Sequence, residues 1–327
     1  IEISANAGRI FMNETLPVGD NGATQTPEEY ISTLSSTTGL PYSLCRFNLQ
    51  KIEHVITNLS TILKGLTRGL PTKIFDEHII QVDGIDVCYF PAADSVGTVL
   101  PSNAPAVNSL WAPAIAMKVP VILKPGREDP WTPFRLIQAY ITAGAPAEAF
   151  GFYPTDHEGS DTILNTCSRG IVFGGDDTVS KYASNPNISC HGTGRSKVLI
   201  GEDMVEKWPE LIDAIVTSIS ANSGRSCICA STVITPRYGD EIAQVLAEKL
   251  AEIQPLSPED ENARLSGFAN PAMAEWIDSK VEEGLNEGGA RDFSAPLRGG
   301  TPRKTEQFGQ NFLHPTIVRC ENIEHPL

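Results

Sequence analysis

The stretch "ANSGRSCICAS", residues 221–231, sets a thiol, Cys227, directly behind Asn-Ser-Gly-Arg-Ser. Turn formers and a cation crowd that spot, whereas a cysteine that only packs usually sits in an apolar run. A thiol attacks carbon as its thiolate, and a nearby cation or helix terminus lowers its pKa. Arg225 and the turn at Gly224 put such help in the local sequence. The chemistry on offer is nucleophilic attack on a carbonyl carbon with a covalent sulfur-linked intermediate. On local sequence alone, an inert free thiol is the commoner reading of such a residue. Cys229, two residues on and entering a β-rich run, reads as packing. The pair Cys227-Ile228-Cys229 has no second close pair of Cys or His to complete a tetrahedral ligand set, so no metal site is expected.

The elements around Cys227 must hold it out to substrate. Upstream, "WPELIDAIVTSISAN" has helical apolar spacing; downstream, "ASTVITP" alternates as a strand, which puts the thiol on a short helix-to-strand connection. Earlier in the chain short β-rich runs recur: "IDVCYFP", "VGTVLP", "VPVILKP", "FGFYP", "GIVFGG", "NISCHG" and "SKVLIG". Helical segments such as "WTPFRLIQAYITAG" and "DTVSKYASN" lie between several of them. This alternation predicts an α/β fold with a parallel sheet and crossover helices, a Rossmann-like domain over residues 86–200. Residues 1–85 read as a helical lead-in, with "SLCRFNLQKIEHVITNLSTILKGL" helically spaced, and residues 201–327 as a second α/β domain carrying Cys227 near its start. Residues 284–310 are glycine-rich and aperiodic, hence loop or hairpin. Lys124 closes "VPVILKP" at the carboxyl end of a predicted strand, where α/β sheets bind ligands. Gly174 and Gly175 permit close backbone approach to a pyrophosphate, although a Gly-Gly pair is ordinarily just a turn. Asn103, in "PSNAP", is a turn former in its own right.

Composition narrows the function class. The chain has 327 residues, 41% hydrophobic and 20% charged, with a formal net charge of −15. That charge argues against a nucleic-acid groove or an anionic membrane surface, and no apolar run approaches the roughly 20 residues of a membrane-spanning helix. Seven cysteines without paired spacing predict reduced thiols and a cytoplasmic setting. The first residues, "IEISANAGRIFMNETL", lack the basic and apolar regions of a signal peptide and an initiator Met, so a fragment or a processed form is expected.

Four stretches, in order, resemble the aldehyde dehydrogenase superfamily. "LPSNAPAVNSLWAPAIAMKVPVILKP" is similar to that family's strand, Pro-x-Asn turn, helix and second strand ending in Lys-Pro. "IVFGGDDTV" resembles its Phe-x-Gly-Ser turn, "HGTGRSKVLI" stands where the family has Glu-Leu-Gly-Gly-Lys-Ser, and the opening stretch resembles Asn-x-Gly-Gln-x-Cys. A weaker echo is "NFLHPTIV", near Phe-x-x-Pro-Thr. The resemblance covers about residues 95–320. It implies an aldehyde dehydrogenase-like fold, a cofactor domain followed by a catalytic domain, with thiohemiacetal and thioester chemistry at Cys227. It also implies Asn103 as an oxyanion donor together with the cysteine's own backbone N–H. Lys124, Pro125, Arg127, Phe173, Gly174 and Gly175 are implied to hold NADP(H) or NAD(H).

The departures from the family pattern refine this expectation. Arg127 stands where many NAD-preferring members have Glu, and a guanidinium suits a 2′-phosphate; Glu128, adjacent, would reverse the inference. Asp176 replaces the usual Ser beside the cofactor. His191 replaces the Glu that activates water in hydrolytic members. Its loss fits the branch in which coenzyme A takes the acyl group, with the fatty acyl-CoA reductases of luciferase systems as nearest relatives. An imidazole can itself act as a base near neutral pH, and a bystander at a strand end is equally compatible. The chain stops at "RCENIEHPL", before the family's Glu-x-Phe-Gly-Pro segment, so a longer parent chain or a completing partner is expected, with a homo-oligomer as the full-length form. The leading expectation is therefore interconversion of an acyl-CoA and an aldehyde. Its rivals are a hydrolytic aldehyde dehydrogenase, a Cys227–His191 hydrolase or transferase without redox cofactor, and a non-catalytic relative kept as a structural or binding subunit.

Overall fold

Short apolar runs bounded by prolines and glycines build the principal sheet, and the turns at its strand ends carry most of the candidate residues. The structure, a computed structural model, describes residues 1–19, 21–77 and 79–327. It divides into two units, one of Ile1–Leu34 and Arg46–Gly192, the other of Ser35–Cys45 and Thr193–Leu327. The division after Gly192 differs from the boundary expected at residue 200, and residues 1–85 form no unit of their own.

The chain opens with α1 (Glu2–Asn13), the short strands β1 (Leu16–Pro17) and β2 (Thr24–Gln25), then α2 (Pro27–Thr38), α3 (Tyr42–Thr57), α4 (Leu59–Leu66) and α5 (Ile74–Glu77). An antiparallel hairpin follows, β3 (Ile79–Val82) with β4 (Ile85–Cys88). The run "IDVCYFP" therefore belongs to a hairpin and not to the parallel sheet. Its residues are mostly exposed, and a central parallel strand must be covered on both faces.

The five-stranded sheet comprises β5 (Val96–Val99), β6 (Val121–Lys124), β7 (Phe150–Phe152), β8 (Arg169–Phe173) and β9 (Ile188–His191), in the order β7-β6-β5-β8-β9. Every pairing in it is parallel. Between strands run α6 (Ala112–Ala116), α7 (Trp131–Thr142), α8 (His157–Thr166) and α9 (Asp176–Tyr182). The Asp156 carboxylate caps α8 by accepting from Gly159 N at 3.0 Å. Gly97 in β5 lets α8 pack close, since a Cβ there would lie 2.8 Å from the Ile163 side chain. Buried Arg135 of α7 ties down the amino-terminal segment, donating to the carbonyls of Phe11 (3.1 Å), Gln25 (3.2 Å) and Glu14 (2.7 Å). Burial holds its pKa below the ordinary arginine value.

In the second unit β10 (Lys197–Leu199) pairs in parallel with β11 (Thr232–Ile234), separated in sequence by α10 (Trp208–Ser220). The run "SKVLIG", expected in the Rossmann-like domain, thus belongs here. Then come α11 (Gly239–Ala251), α12 (Pro271–Asn286), β12 (Ala290–Asp292), β13 (Lys304–Gln307), β14 (Gln310–Leu313) and β15 (Val318–Cys320). Residues 284–286, expected as loop, finish α12, and β13 and β14 form the anticipated hairpin. The core of this unit gathers Ile212 and Ile215 of α10, Ile242 and Leu246 of α11, and Ile200 and Val205 from the segment between β10 and α10. Among the described residues no helix is long and apolar enough to cross a membrane.

Candidate active site

The sheet order reverses between β5 and β8, since the chain builds outward through β6 and β7 and then returns to the other side of β5. Crevices at the carboxyl ends of strands at such a reversal are where open α/β sheets hold ligands. This edge collects the unit's candidate residues. Asn103 lies in the turn after β5, half-buried, just ahead of a short 3-10 helix from Pro105 to Leu110. Lys124 ends β6 in register with Val99, and Phe173 ends β8 in register with His191, the last residue of β9. The Phe173 and His191 rings stack at 4.7 Å between centroids with 19° between planes, and His191 Nε2 is 3.3 Å from Ser189 Oγ. Gly174 N donates to the carbonyl of His191 at 3.1 Å.

Pro125 and Gly126 are buried behind Lys124, while Arg127 is exposed. Gly126 shows why the turn after β6 can sit beside the turn after β5: a Cβ there would lie 2.6 Å from the Pro101 carbonyl oxygen. Ser102 Oγ accepts from Glu128 N at 3.1 Å, joining the two turns again. Gly126 escaped the motif reading, because nothing in a sequence marks a glycine needed only for close approach.

The donors near the end of β6 have the chemistry a dinucleotide phosphate calls for, and the start of α9 does not. Lys124 and Arg127 bring cations to that strand end, and a Cβ at Gly175 would meet no atom within 4 Å, so the backbone there is open. Asp176 and Asp177, by contrast, fill the first turn of α9 with carboxylates. They disfavour a phosphate at that helix start. Among the described residues no group of three or more His, Cys, Asp or Glu could hold a metal ion.

Cys227 lies in the second unit, after α10, where Asn222 (φ 49°), Ser223 (φ 58°) and Gly224 (φ 68°) are all left-handed. Three such residues in succession reverse the chain, and the two with side chains hold that conformation through bonds nearby. Asn222 Nδ2 donates to Ser226 Oγ at 3.3 Å, and Ser223 Oγ accepts from Ser266 N at 2.8 Å. Cys227 is left exposed on the reversed loop. Arg225, expected to help the thiol, is committed elsewhere: its Nη1 donates to the Thr38 carbonyl at 2.6 Å and to Ser266 Oγ at 3.1 Å. It braces the loop, because a guanidinium reaching a buried carbonyl satisfies a group that water cannot. Cys229 is buried, with Sγ 3.1 Å from the Ala221 carbonyl.

Residues 23–324 match the family model for the Aldehyde dehydrogenase family. Among curated relatives, 5-carboxymethyl-2-hydroxymuconate semialdehyde dehydrogenase of Escherichia coli is 27% identical over 272 residues, covering 78% of this chain and 54% of the relative. Succinate semialdehyde dehydrogenase of Acinetobacter baylyi is 22% identical over 240 residues, covering 70% and 48%. Among solved structures, succinic semialdehyde dehydrogenase from Streptococcus pyogenes in complex with NADP+ superposes with a TM-score of 0.75 at 14% identity, over 99% of this chain and 67% of that one. The chain spans about half the length of the curated relatives it matches. The structural likeness establishes the aldehyde dehydrogenase fold. None of these names mentions coenzyme A, and the expected kinship with acyl-CoA reductases finds no support in them.

Proposed function

The chain belongs to the aldehyde dehydrogenase family, and from that premise we propose that it serves NAD(P)-dependent oxidation of an aldehyde to a carboxylic acid through a Cys227 thioester. The observation that carries this reading is the exposed Cys227 on its left-handed turn. The substrate class is an aldehyde that also bears a carboxylate, as the relatives' names suggest.

The Cys227 thiolate adds to the aldehyde carbon, forming a C–S bond, and the carbonyl oxygen becomes an oxyanion. The Asn103 side-chain amide and the Cys227 backbone N–H donate to that oxygen. Lys124, Pro125, Arg127, Phe173, Gly174 and Gly175 would hold the dinucleotide, with its phosphates kept clear of the Asp176 and Asp177 carboxylates, and its nicotinamide would supply the hydride acceptor. With that acceptor in place, the Cys227 adduct would give up a hydride to it and become a thioester. His191 then takes a proton from water, the hydroxide oxygen bonds to the acyl carbon, and the C–S bond breaks to release the acid and the thiolate.

A second reading, acyl transfer to coenzyme A, rests on the resemblance of "HGTGRSKVLI" to the family's Glu-Leu-Gly-Gly-Lys-Ser, which sets His191 in place of the Glu. Product analysis separates the two. Purified protein given succinate semialdehyde and oxidised nicotinamide, without coenzyme A, is expected to make acid over many turnovers. Acid that stops at one equivalent, with acyl-CoA accumulating once coenzyme A is added, establishes the second reading instead. Butanal, which lacks the carboxylate, tests its contribution as the comparison substrate, since it should show the lower kcat/KM.

His191→Gln is expected to slow steady-state acid formation by about 10²-fold, within the usual worth of a general base. The first-turnover burst of reduced nicotinamide should survive, because acylation does not use this base. An unchanged steady-state rate removes His191 from the mechanism.

Arg127 decides between the two nucleotides by the 2′-phosphate. Arg127→Glu should lower the ratio of kcat/KM for NADP+ over NAD+ by about ten- to hundredfold, matching about 1.5–3 kcal/mol for a hydrogen bond to a charged group. A wild type that already prefers NAD+, with a swap that does nothing, transfers the role to Glu128.

A further inference from the structure

Gly194 has no positive φ, so any residue could adopt its backbone conformation. Its constraint is spatial. A Cβ at Gly194 would lie 2.5 Å from the Cys227 carbonyl oxygen, 2.6 Å from Cys227 Cα and 2.9 Å from Cys227 C. These are backbone atoms, which cannot swing aside as the end of a flexible side chain can. Ordinary van der Waals contact begins at 3.4 Å, so a methyl group here displaces Cys227 or Gly194 by about 0.8 Å.

The neighbouring residues extend the same contact. Ser196 Oγ donates to the Cys227 carbonyl at 3.2 Å, and Ser231 N donates to the Ser196 carbonyl at 2.9 Å. Lys197 Nζ donates to Ser231 Oγ at 2.9 Å, and from Lys197 onward β10 is in register with β11 from Thr232. Residues 194–199 thus form a rail along residues 227–234. The thiol is exposed, yet its Cα and carbonyl are held on one side by Gly194 and Ser196.

We propose that Gly194 is a positioning residue for Cys227, its missing side chain setting where the Cys227 backbone sits and thereby the direction of both its thiol and its N–H. The proposal rests on Cys227 as the nucleophile. Misplacing reacting groups by about 1 Å costs about 10²-fold in rate. Gly194→Ala should therefore lower kcat by about 10²-fold, with KM and nucleotide affinity nearly unchanged.

A second readout does not depend on turnover. Cys227 and Cys88 are both exposed, in different units, so Cys88 is an internal reference for alkylation by iodoacetamide. Peptide mass mapping should show the Cys227-to-Cys88 rate ratio changed by at least about fivefold in Gly194→Ala, because the thiol's surroundings set its reactivity. Gly65→Ala is the control, since a Cβ there meets no atom within 4 Å. A folded Gly194→Ala with unchanged kcat and unchanged ratio overturns the proposal. If Gly194→Ala does not fold, Ser196→Ala takes its place, adding no atoms and removing one bond to Cys227. It should lower kcat several-fold and change the ratio in the same sense, and no effect on either overturns the proposal equally. Should Cys227 prove dispensable for turnover, the proposed function falls, while the alkylation ratio still reports whether Gly194 positions the thiol.

Discussion

Cys227→Ala is expected to abolish aldehyde oxidation, lowering turnover by at least about 10⁴-fold, because the covalent step has no substitute carrier. The next thiol in the sequence, Cys229, is buried against the Ala221 carbonyl and cannot present itself to substrate without unpacking the loop. Cys229→Ala therefore serves as the counterpart. It should keep most of the turnover and lose about 1 kcal/mol of stability from a small cavity. Nucleotide binding, measured by fluorescence titration, should be retained in Cys227→Ala, since its proposed ligands lie in the other unit. Trapping experiments give a direct check. A slow substrate and oxidised nicotinamide, quenched within one turnover, should leave an acyl adduct that peptide mapping assigns to Cys227. An adduct on Cys229, or substantial turnover by Cys227→Ala, would sink the nucleophile assignment.

Asn103→Ala is expected to lower kcat by about 10²- to 10³-fold, the usual cost of one lost oxyanion donor. The effect should fall on kcat and kcat/KM alike, because the oxyanion exists only after attack. A purely architectural Asn103 predicts something else. The turn after β5 is fixed by Ser102 accepting from Glu128 N and by the close approach of Gly126. If Asn103 merely completed that turn, its loss would lower the melting temperature and leave kcat of the folded fraction near normal. That outcome would withdraw the oxyanion role and leave Cys227 as the only catalytic assignment at the attack step.

Much of the fold was legible because β-rich runs bounded by turn formers alternate with helical segments, and "VGTVLP", "VPVILKP", "FGFYP", "GIVFGG" and "NISCHG" all entered the five-stranded sheet. Two runs of the same appearance did not. "IDVCYFP" went to a hairpin and "SKVLIG" to the second unit, since local pattern specifies a strand but not its partner, and pairing is settled by residues far away in sequence.

The candidate site divides the same way. Residue types and spacing pointed by themselves to Cys227 as a displayed thiol, and the order of motifs pointed to Asn103, Lys124, Gly174 and His191, because a family resemblance is carried by residue identity in chain order. Only the tertiary structure decided what each neighbour does. Arg225, adjacent in sequence, braces Thr38 and Ser266, while Gly194, thirty-three residues upstream, lies against the Cys227 backbone. The physical reason is that a role made of contact distance leaves no mark in a residue's type. A glycine required for close approach and a glycine in an ordinary turn are the same letter, and only the neighbour across the gap tells them apart.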